Sequence, residues 1–377
     1  MNFYSKLIEE LLVDSRNSFS YIDNYDEIRF GEIAVIPLTI KGKIRKKLEK
    51  IFNNRGYEIT KKEDVIKYIG EKIGIIDPYL SDLEDLYDLL SNEESKILLV
   101  KILAFRVLGF TKVKLPLNTP EFWAGIKEIE ELTDKNTFIK ASFFNWELPL
   151  VNLNKKGIPI QLYFLPMGAY IDFIFKQYEY GHNFKYIKAE KGDFVIDAGG
   201  CWGDTALYFA NEVGNSGRVF TYEFIPSNLE IMTKNIALNP NLEQRITVIK
   251  HPVWETSDRT MFYIDNGPGS RVFMNGDEKY DGKVESISID DLVNRLNINK
   301  VNFIKMDIEG AEPAALKGAM NVIKKFKPKL AIAIYHSLDD FVNIPKFIHD
   351  LGLGYKLYLS HCSIHEEETI LFAEISN

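Results

Sequence analysis

The stretch Phe194–Thr205, Phe-Val-Ile-Asp-Ala-Gly-Gly-Cys-Trp-Gly-Asp-Thr, limits the fold of this chain more than any other. Phe194-Val195-Ile196 is a short apolar run of the kind that forms a strand buried on both faces. The run stops at Asp197 and opens into a loop holding Gly199, Gly200 and Gly203. From Thr205 to Ala210 the residues suit a helix. Strand, glycine loop and helix bring backbone close to a nucleotide-like ligand at a helix N-terminus. Glycine is needed there because a Cβ would meet the ligand or forbid positive φ. A dinucleotide fingerprint would place its second glycine at Cys201, so that pattern fails and Asp-x-Gly-x-x-x-Gly remains.

Length and composition narrow the classes. A chain of 377 residues predicts about two domains. A net charge of −8 argues against nucleic-acid binding through phosphates. With two cysteines, Cys201 and Cys362, the sequence offers no disulfide framework, so a reducing, cytoplasmic setting is expected. The first residues lack the apolar core of a signal peptide, and no run is long enough to span a bilayer.

Residues 1–140 read as a mainly helical accessory domain, with a strand at Glu32–Ile40 and a basic stretch at Lys41–Lys50 taken as a solvated helix face. Helices are expected at Asp64–Tyr68, Leu83–Leu90 and Glu93–Leu108, the last ended by Gly109. Residues 141–377 read as the second domain. It opens, over 141–190, with a strand pair around Asn154–Gly157 and an aromatic helix over Gly168–Tyr180, whose rings are expected mainly in the core. From Asp193 strands and helices alternate with short links, the signature of a parallel sheet with crossover helices. Strands are expected at Arg218–Glu223, Ile246–Lys250, Val301–Met306 and Leu330–Tyr335, closed by an antiparallel pair at Tyr355–Leu359 and Thr369–Glu374. Helices are expected at Pro226–Leu238, Asp290–Leu296, Ala314–Lys325 and Asp339–Leu351, and a hairpin excursion at Met261–Ile264 and Val284–Ile289.

In such a sheet a ligand sits beyond the carboxyl ends of the strands. The first end offers Asp197, Gly199, Gly200, Gly203 and Thr205; the second offers Glu223 and Phe224. A carboxylate at the second end can accept from both hydroxyls of a ribose. The third end, with Val253 and Trp254, supplies apolar groups to bracket a base, though core packing explains them equally well. The fourth runs Lys305-Met306-Asp307-Ile308-Glu309-Gly310-Ala311-Glu312, and the fifth brings Tyr335 and His336. A histidine suits proton abstraction near neutrality. Asp307 and Glu309 can bind a hydroxyl, orient the ring or hold a divalent metal, and Glu312 is read as a helix cap.

The glycine loop resembles the first motif of Rossmann-like methyltransferases that use S-adenosylmethionine. Together with Glu223, the 305–312 run, Leu316-Lys317-Gly318-Ala319 and the tail Tyr355–Glu374, it resembles the FkbM family of O-methyltransferases. Gly269-Ser270-Arg271 matches a place where that family carries a Gly-Ser element, whereas Cys201-Trp202 departs from its usual small residues. The resemblance implies a Rossmann-like α/β fold with a seven-stranded methyltransferase sheet, S-adenosylmethionine as cofactor, and transfer of methyl to a carbohydrate hydroxyl, on a nucleotide-sugar or surface glycan. Polysaccharide biosynthesis is the implied setting. His336 is the expected base, assisted by Asp307 and Glu309; Ser270, Arg271, Lys305, Tyr335 and His361 are candidate acceptor contacts, with Lys305 equally able to pair with a carboxylate inside the site and His361 able to cap the final hairpin. A divalent metal and a homo-oligomer are left open. The rivals are a nicotinamide-dependent oxidoreductase, against which Cys201 argues, and a non-catalytic carbohydrate-binding protein.

Overall fold

The computed structural model describes residues 2–17, 19, 62–182, 185–276 and 279–375. The expected strand at Glu32–Ile40 and the basic stretch Lys41–Lys50 lie outside the described residues. A seven-stranded sheet organises the rest: β1 (Phe194–Ala198), β2 (Arg218–Tyr222), β3 (Ile246–Ile249), β4 (Phe303–Met306), β5 (Lys329–Ala333), β6 (Tyr355–His361) and β7 (Thr369–Ile375). Their spatial order is β6-β7-β5-β4-β1-β2-β3, with β7 antiparallel to both neighbours and the other pairs parallel. This is the mixed α/β, Rossmann-like methyltransferase sheet expected from the sequence. The order reverses between β1 and β4, and a crevice opens there at the strands' carboxyl ends.

Register explains the centre of the sheet. Asp197 on β1 pairs with Thr221 on β2 and with Lys305 on β4. In-register neighbours on parallel strands point to the same face, so the three polar side chains form one row inside an apolar sheet.

The N-terminal helices complete the fold at the opposite edge. Helix Glu93–Leu108 begins at Asn92, whose side chain accepts from Ser95 N–H, and ends at Gly109 with φ 77°. It covers β6. Ser91 N–H donates to Leu357 C=O (2.8 Å), and the hydroxyls of Ser91 and Ser95 accept from the Leu357 and Leu359 amides (3.0 and 2.9 Å). An edge strand that would template aggregation is thereby closed. Helix Phe3–Asp14 packs on this helix, and Phe3, Leu7 and Leu99 share one core with Ile196 and Ile304 of the sheet.

Several elements depart from expectation. The strand pair around Asn154–Gly157 is present (Glu147–Asn152 with Gln161–Tyr163), but Thr133–Lys140 adds a third strand. That segment is largely exposed, so it lacks the apolar alternation that would have marked it. The aromatic helix is shorter than expected: Pro166–Ala169 runs into a π-turn at Tyr170–Phe175, and the chain breaks at Lys176 with φ 62°. The helix expected over Ala314–Lys325 is two, Glu312–Lys317 and Met320–Phe326. They break at Gly318, where a Cβ would stand 2.2 Å from Trp254 C=O. The excursion has three strands, Thr260–Ile264 flanked by Arg271–Phe273 and Gly282–Glu285. Among the described residues no helix is long and apolar enough to cross a membrane.

Candidate active site

The glycine loop is shaped by what surrounds it. Gly199 has φ 92°, and a Cβ on it would stand 1.9 Å from the Asp307 carbonyl oxygen; on Gly200 a Cβ would meet Thr221 Oγ1 at 2.1 Å. The first contact is with backbone, which cannot swing aside. Gly199→Ala is therefore expected to separate β1 from the β4 loop and to destabilise the fold by more than about 2 kcal/mol. Urea titration measures this; a midpoint matching wild type would contradict it.

Asp197 lies beneath the loop, fully buried. It accepts from Thr205 Oγ1 (3.0 Å) and Thr221 Oγ1 (2.8 Å) and pairs with Lys305 Nζ at 3.4 Å. Lys305 also donates to the carbonyls of Ala198 (3.2 Å) and Gly199 (2.6 Å). Burial opposes its charge, yet Asp197, Asp307 and Asp204 hold its pKa above the usual lysine range. Asp197, Thr205 and Lys305 thus fix the loop from below and do not line the cavity above it.

A cavity above the loop opens to solvent at its mouth. Gly199 and Cys201 form one wall; Glu223, Phe224 and Val253 form another; Asp307, Ile308 and Glu309 face them, with Ser270 at the rim. Trp254, Gly200 and Gly203 stand outside the lining, as do Arg271, Tyr335 and His361. Arg271 is exposed on the excursion, beside Ser270. His361 is buried in the closing hairpin, bonded to Thr369 Oγ1 and His365 C=O, and burial pushes its pKa down to about 3, so it stays neutral. The Cys201 thiol is pushed well up by burial, which leaves it a poor nucleophile.

Glu223 is held with care. Its Oε1 accepts from the amides of Phe224 (2.6 Å) and Ile225 (2.7 Å), and its Oε2 from Asn228 Nδ2 (3.2 Å). Asn228 also binds Gly267 C=O and the Trp202 indole, tying the excursion and the glycine loop to this carboxylate. Nothing in the sequence marks Asn228, because two of its three partners, Trp202 and Gly267, are distant in the chain. Burial raises the Glu223 pKa to about 7 in spite of those donors. A carboxyl raised in the fold contributes most below its unfolded pKa, and the contribution is lost as pH rises through 7. Glu223→Gln is expected to remove most of the loss of stability between pH 4 and pH 8 in the ligand-free protein. Thermal melts at the two pH values test this; equal shifts at both would contradict it.

Opposite Glu223, Asp307 accepts from the hydroxyls of Tyr178 (3.1 Å, Oδ2) and Tyr335 (3.1 Å, Oδ1). Tyr178 comes from the aromatic segment and was expected in the core; it is buried, but its hydroxyl serves the site. Gln177 beside it donates to Glu368 (2.6 Å), so the closing hairpin joins the same network. Behind Gly203, burial raises the carboxyl pKa of Asp172 strongly and that of Asp204 to about 6.

His336 stands within 4 Å of three carboxylates: Asp307 Oδ1 (3.4 Å), Glu309 Oε1 (3.7 Å) and Glu312 Oε1 (3.3 Å). Glu312 opens its helix but makes no cap hydrogen bond to it; its carboxylate accepts from Ile308 N–H (2.7 Å) and Gly310 N–H (3.0 Å) in the preceding loop. Burial disfavours a charged ring, but the three acids outweigh it and raise the His336 pKa far above the ordinary histidine value. Burial likewise raises the Asp307 carboxyl, but His336 and Lys305 prevail and hold it at about 2. A ring held as imidazolium has no lone pair for a substrate proton, which bears directly on the base expected at this position. Glu309 differs from its neighbours. It faces the cavity at φ 56°, a conformation that costs a non-glycine residue energy and clusters at functional sites.

No curated protein matches the chain in sequence. The chain aligns with the crystal structure of methyltransferase FkbM from Methylobacillus flagellatus KT at 17% identity and a TM-score of 0.50, over 89% of this chain and 71% of that one. Aeropyrum pernix fibrillarin with natively bound S-adenosyl-L-methionine aligns over 63% of this chain and 98% of that one, at 14% identity and a TM-score of 0.33. An S-adenosylmethionine-dependent O-methyltransferase from Thermotoga maritima aligns over 50% and 61%, at 15% identity and a TM-score of 0.31. The first is a likeness of fold; the other two are too distant to support an argument. Residues 181–357, which contain every residue lining the cavity, match the methyltransferase FkbM domain.

Proposed function

We propose that the chain transfers the methyl group of S-adenosylmethionine to a hydroxyl of a carbohydrate, on a nucleotide-sugar or a surface glycan. One observation carries the cofactor assignment: the Glu223 carboxylate, fixed by two backbone amides, enters the cavity beside the glycine loop. A carboxylate there suits the two hydroxyls of a ribose, and Val253 and Ile308 supply apolar surface for a base. The carboxylates of Glu223, Asp307 and Glu309 also favour a cationic sulfonium over a pyrophosphate.

Transfer is an in-line displacement. The acceptor oxygen bonds to the methyl carbon, the carbon–sulfur bond breaks, and its electron pair leaves on a neutral thioether. The hydroxyl proton passes to a carboxylate at the Asp307–Glu309 wall. Glu309 is the better placed: Asp307 is committed to two tyrosine hydroxyls and held at low pKa. His336 then positions this wall electrostatically. Arg271, exposed next to Ser270 on the rim, gives that side a cation for an acceptor phosphate. A radiolabelled methyl-transfer screen against nucleotide-sugars and surface glycans tests the assignment. Label in a sugar hydroxyl supports it. Label found only on other acceptors would overturn the carbohydrate assignment.

A further inference from the structure

We propose that Arg106 is a positioning residue of the active site, through which the accessory helix Glu93–Leu108 sets the two tyrosines that hold Asp307. The start of that helix is moored to β6 by Ser91 and Ser95, and Arg106 stands in its last turn. The Arg106 side chain is 11% exposed, and its guanidinium lies 5.1 Å from the centre of the Phe341 ring. Nη2 donates to Tyr335 C=O (2.9 Å) and to Glu366 C=O (3.3 Å), and Nη1 stands 3.7 Å from the Glu366 carboxylate. Arginine suits this task because its donors leave one rigid plane in fixed directions.

Both carbonyls lead back to Asp307. Tyr335 leaves the end of β5, and its hydroxyl donates to Asp307 Oδ1 (3.1 Å). His336, joined to the clamped carbonyl by the next peptide bond, stands 3.4 Å from the same oxygen. Glu366 lies in the turn between β6 and β7, as does Glu368, which accepts from Gln177 (2.6 Å). Tyr178 follows Gln177 and donates to Asp307 Oδ2 (3.1 Å). Glu368 has φ 65°, a conformation that persists only where surrounding contacts hold it. Ile364 in the same turn packs on Phe122 and Ile126 of helix Pro120–Glu130, so a second accessory helix braces it. Tyr335 and Tyr178 thus reach the two oxygens of Asp307 along separate paths, and one guanidinium steadies the backbone behind each. Hydrogen bonds from a charged donor are the strong ones, so they fix these carbonyls more firmly than apolar packing would. The inference rests on the proposed transfer reaction and deepens it: misplacing a catalytic wall by about 1 Å can cost about 10²-fold in rate.

The test uses full-length protein carrying meta-fluorotyrosine, read by fluorine magnetic resonance. Tyr335→Phe and Tyr178→Phe assign the two site signals. Tyr355, which donates to Pro328 C=O (2.7 Å) at the far end of β5, is the reference. Arg106→Met should shift or split both site signals and leave Tyr355 in place, with a cooperative melt and S-adenosylhomocysteine binding intact. With the acceptor labelled in the methyl-transfer screen, kcat should fall about 10²-fold at unchanged KM for S-adenosylmethionine. Lysine keeps the charge and loses the fork, so Arg106→Lys should restore the melting temperature and not the rate. Site signals unmoved in Arg106→Met would overturn the clamp. So would a rate that Arg106→Lys restores in full, or loss of the cooperative melt in both variants, since either makes the residue's part structural. Absence of S-adenosylhomocysteine binding in wild type would overturn the cofactor reading alone, because the fluorine signals need no ligand.

Discussion

Glu309→Gln should lower the rate of methyl transfer about 10²–10⁴-fold while S-adenosylhomocysteine binds as in wild type. The expectation rests on position. Glu309 lines the cavity opposite Glu223, in a strained backbone conformation, and sits 3.7 Å from His336. The substitution keeps the size of the side chain and removes its capacity to take a proton, so binding and chemistry separate. Single-turnover rates with saturating cofactor provide the readout. Turnover near wild type would remove Glu309 from proton transfer and return the role to His336. His336→Ala would then be expected to cost a similar factor.

The second large effect concerns stability. Lys305→Met should destabilise the protein by about 3–5 kcal/mol, because it strands buried Asp197 without a counter-charge. Lys305 and Asp197 are 1% and 0% exposed, and the same ammonium holds the carbonyls of Ala198 and Gly199. Asp197→Leu combined with Lys305→Met should recover part of the loss, since it removes the uncompensated charge. Denaturant unfolding of both variants measures this. A single variant as stable as wild type would show that the pair does not hold the glycine loop.

Much of this architecture is written locally. Buried parallel strands read as apolar runs, so β1, β4 and β5 and their terminal residues Asp197, Asp307 and Tyr335 could be located without a structure. Helix Glu93–Leu108 carries its own start at Asn92 and stop at Gly109. What stayed hidden depends on contacts between distant residues. For Lys305 the sequence left two readings open, acceptor contact or partner of a carboxylate; register sets it against Asp197 inside the sheet, beneath the loop. Tyr178 and Gln177 reach Asp307 and Glu368 across more than a hundred residues. The strand at Thr133–Lys140 is too polar to signal itself, and the need for glycine at 318 comes from the close approach of the Trp254 carbonyl. His336 was legible as chemistry, but its ring of three acids was not, because Glu312 reads as an ordinary acid in a helix's first turn.

The central claim is that the cavity between Gly199, Glu223 and Asp307 receives an adenosyl sulfonium. Calorimetric titration of the purified protein with S-adenosylhomocysteine and, separately, with NAD measures this most directly. The account predicts saturable binding of S-adenosylhomocysteine, weakened about 10–100-fold by Glu223→Gln, and no heat from NAD. Tight NAD binding with no response to S-adenosylhomocysteine would contradict it.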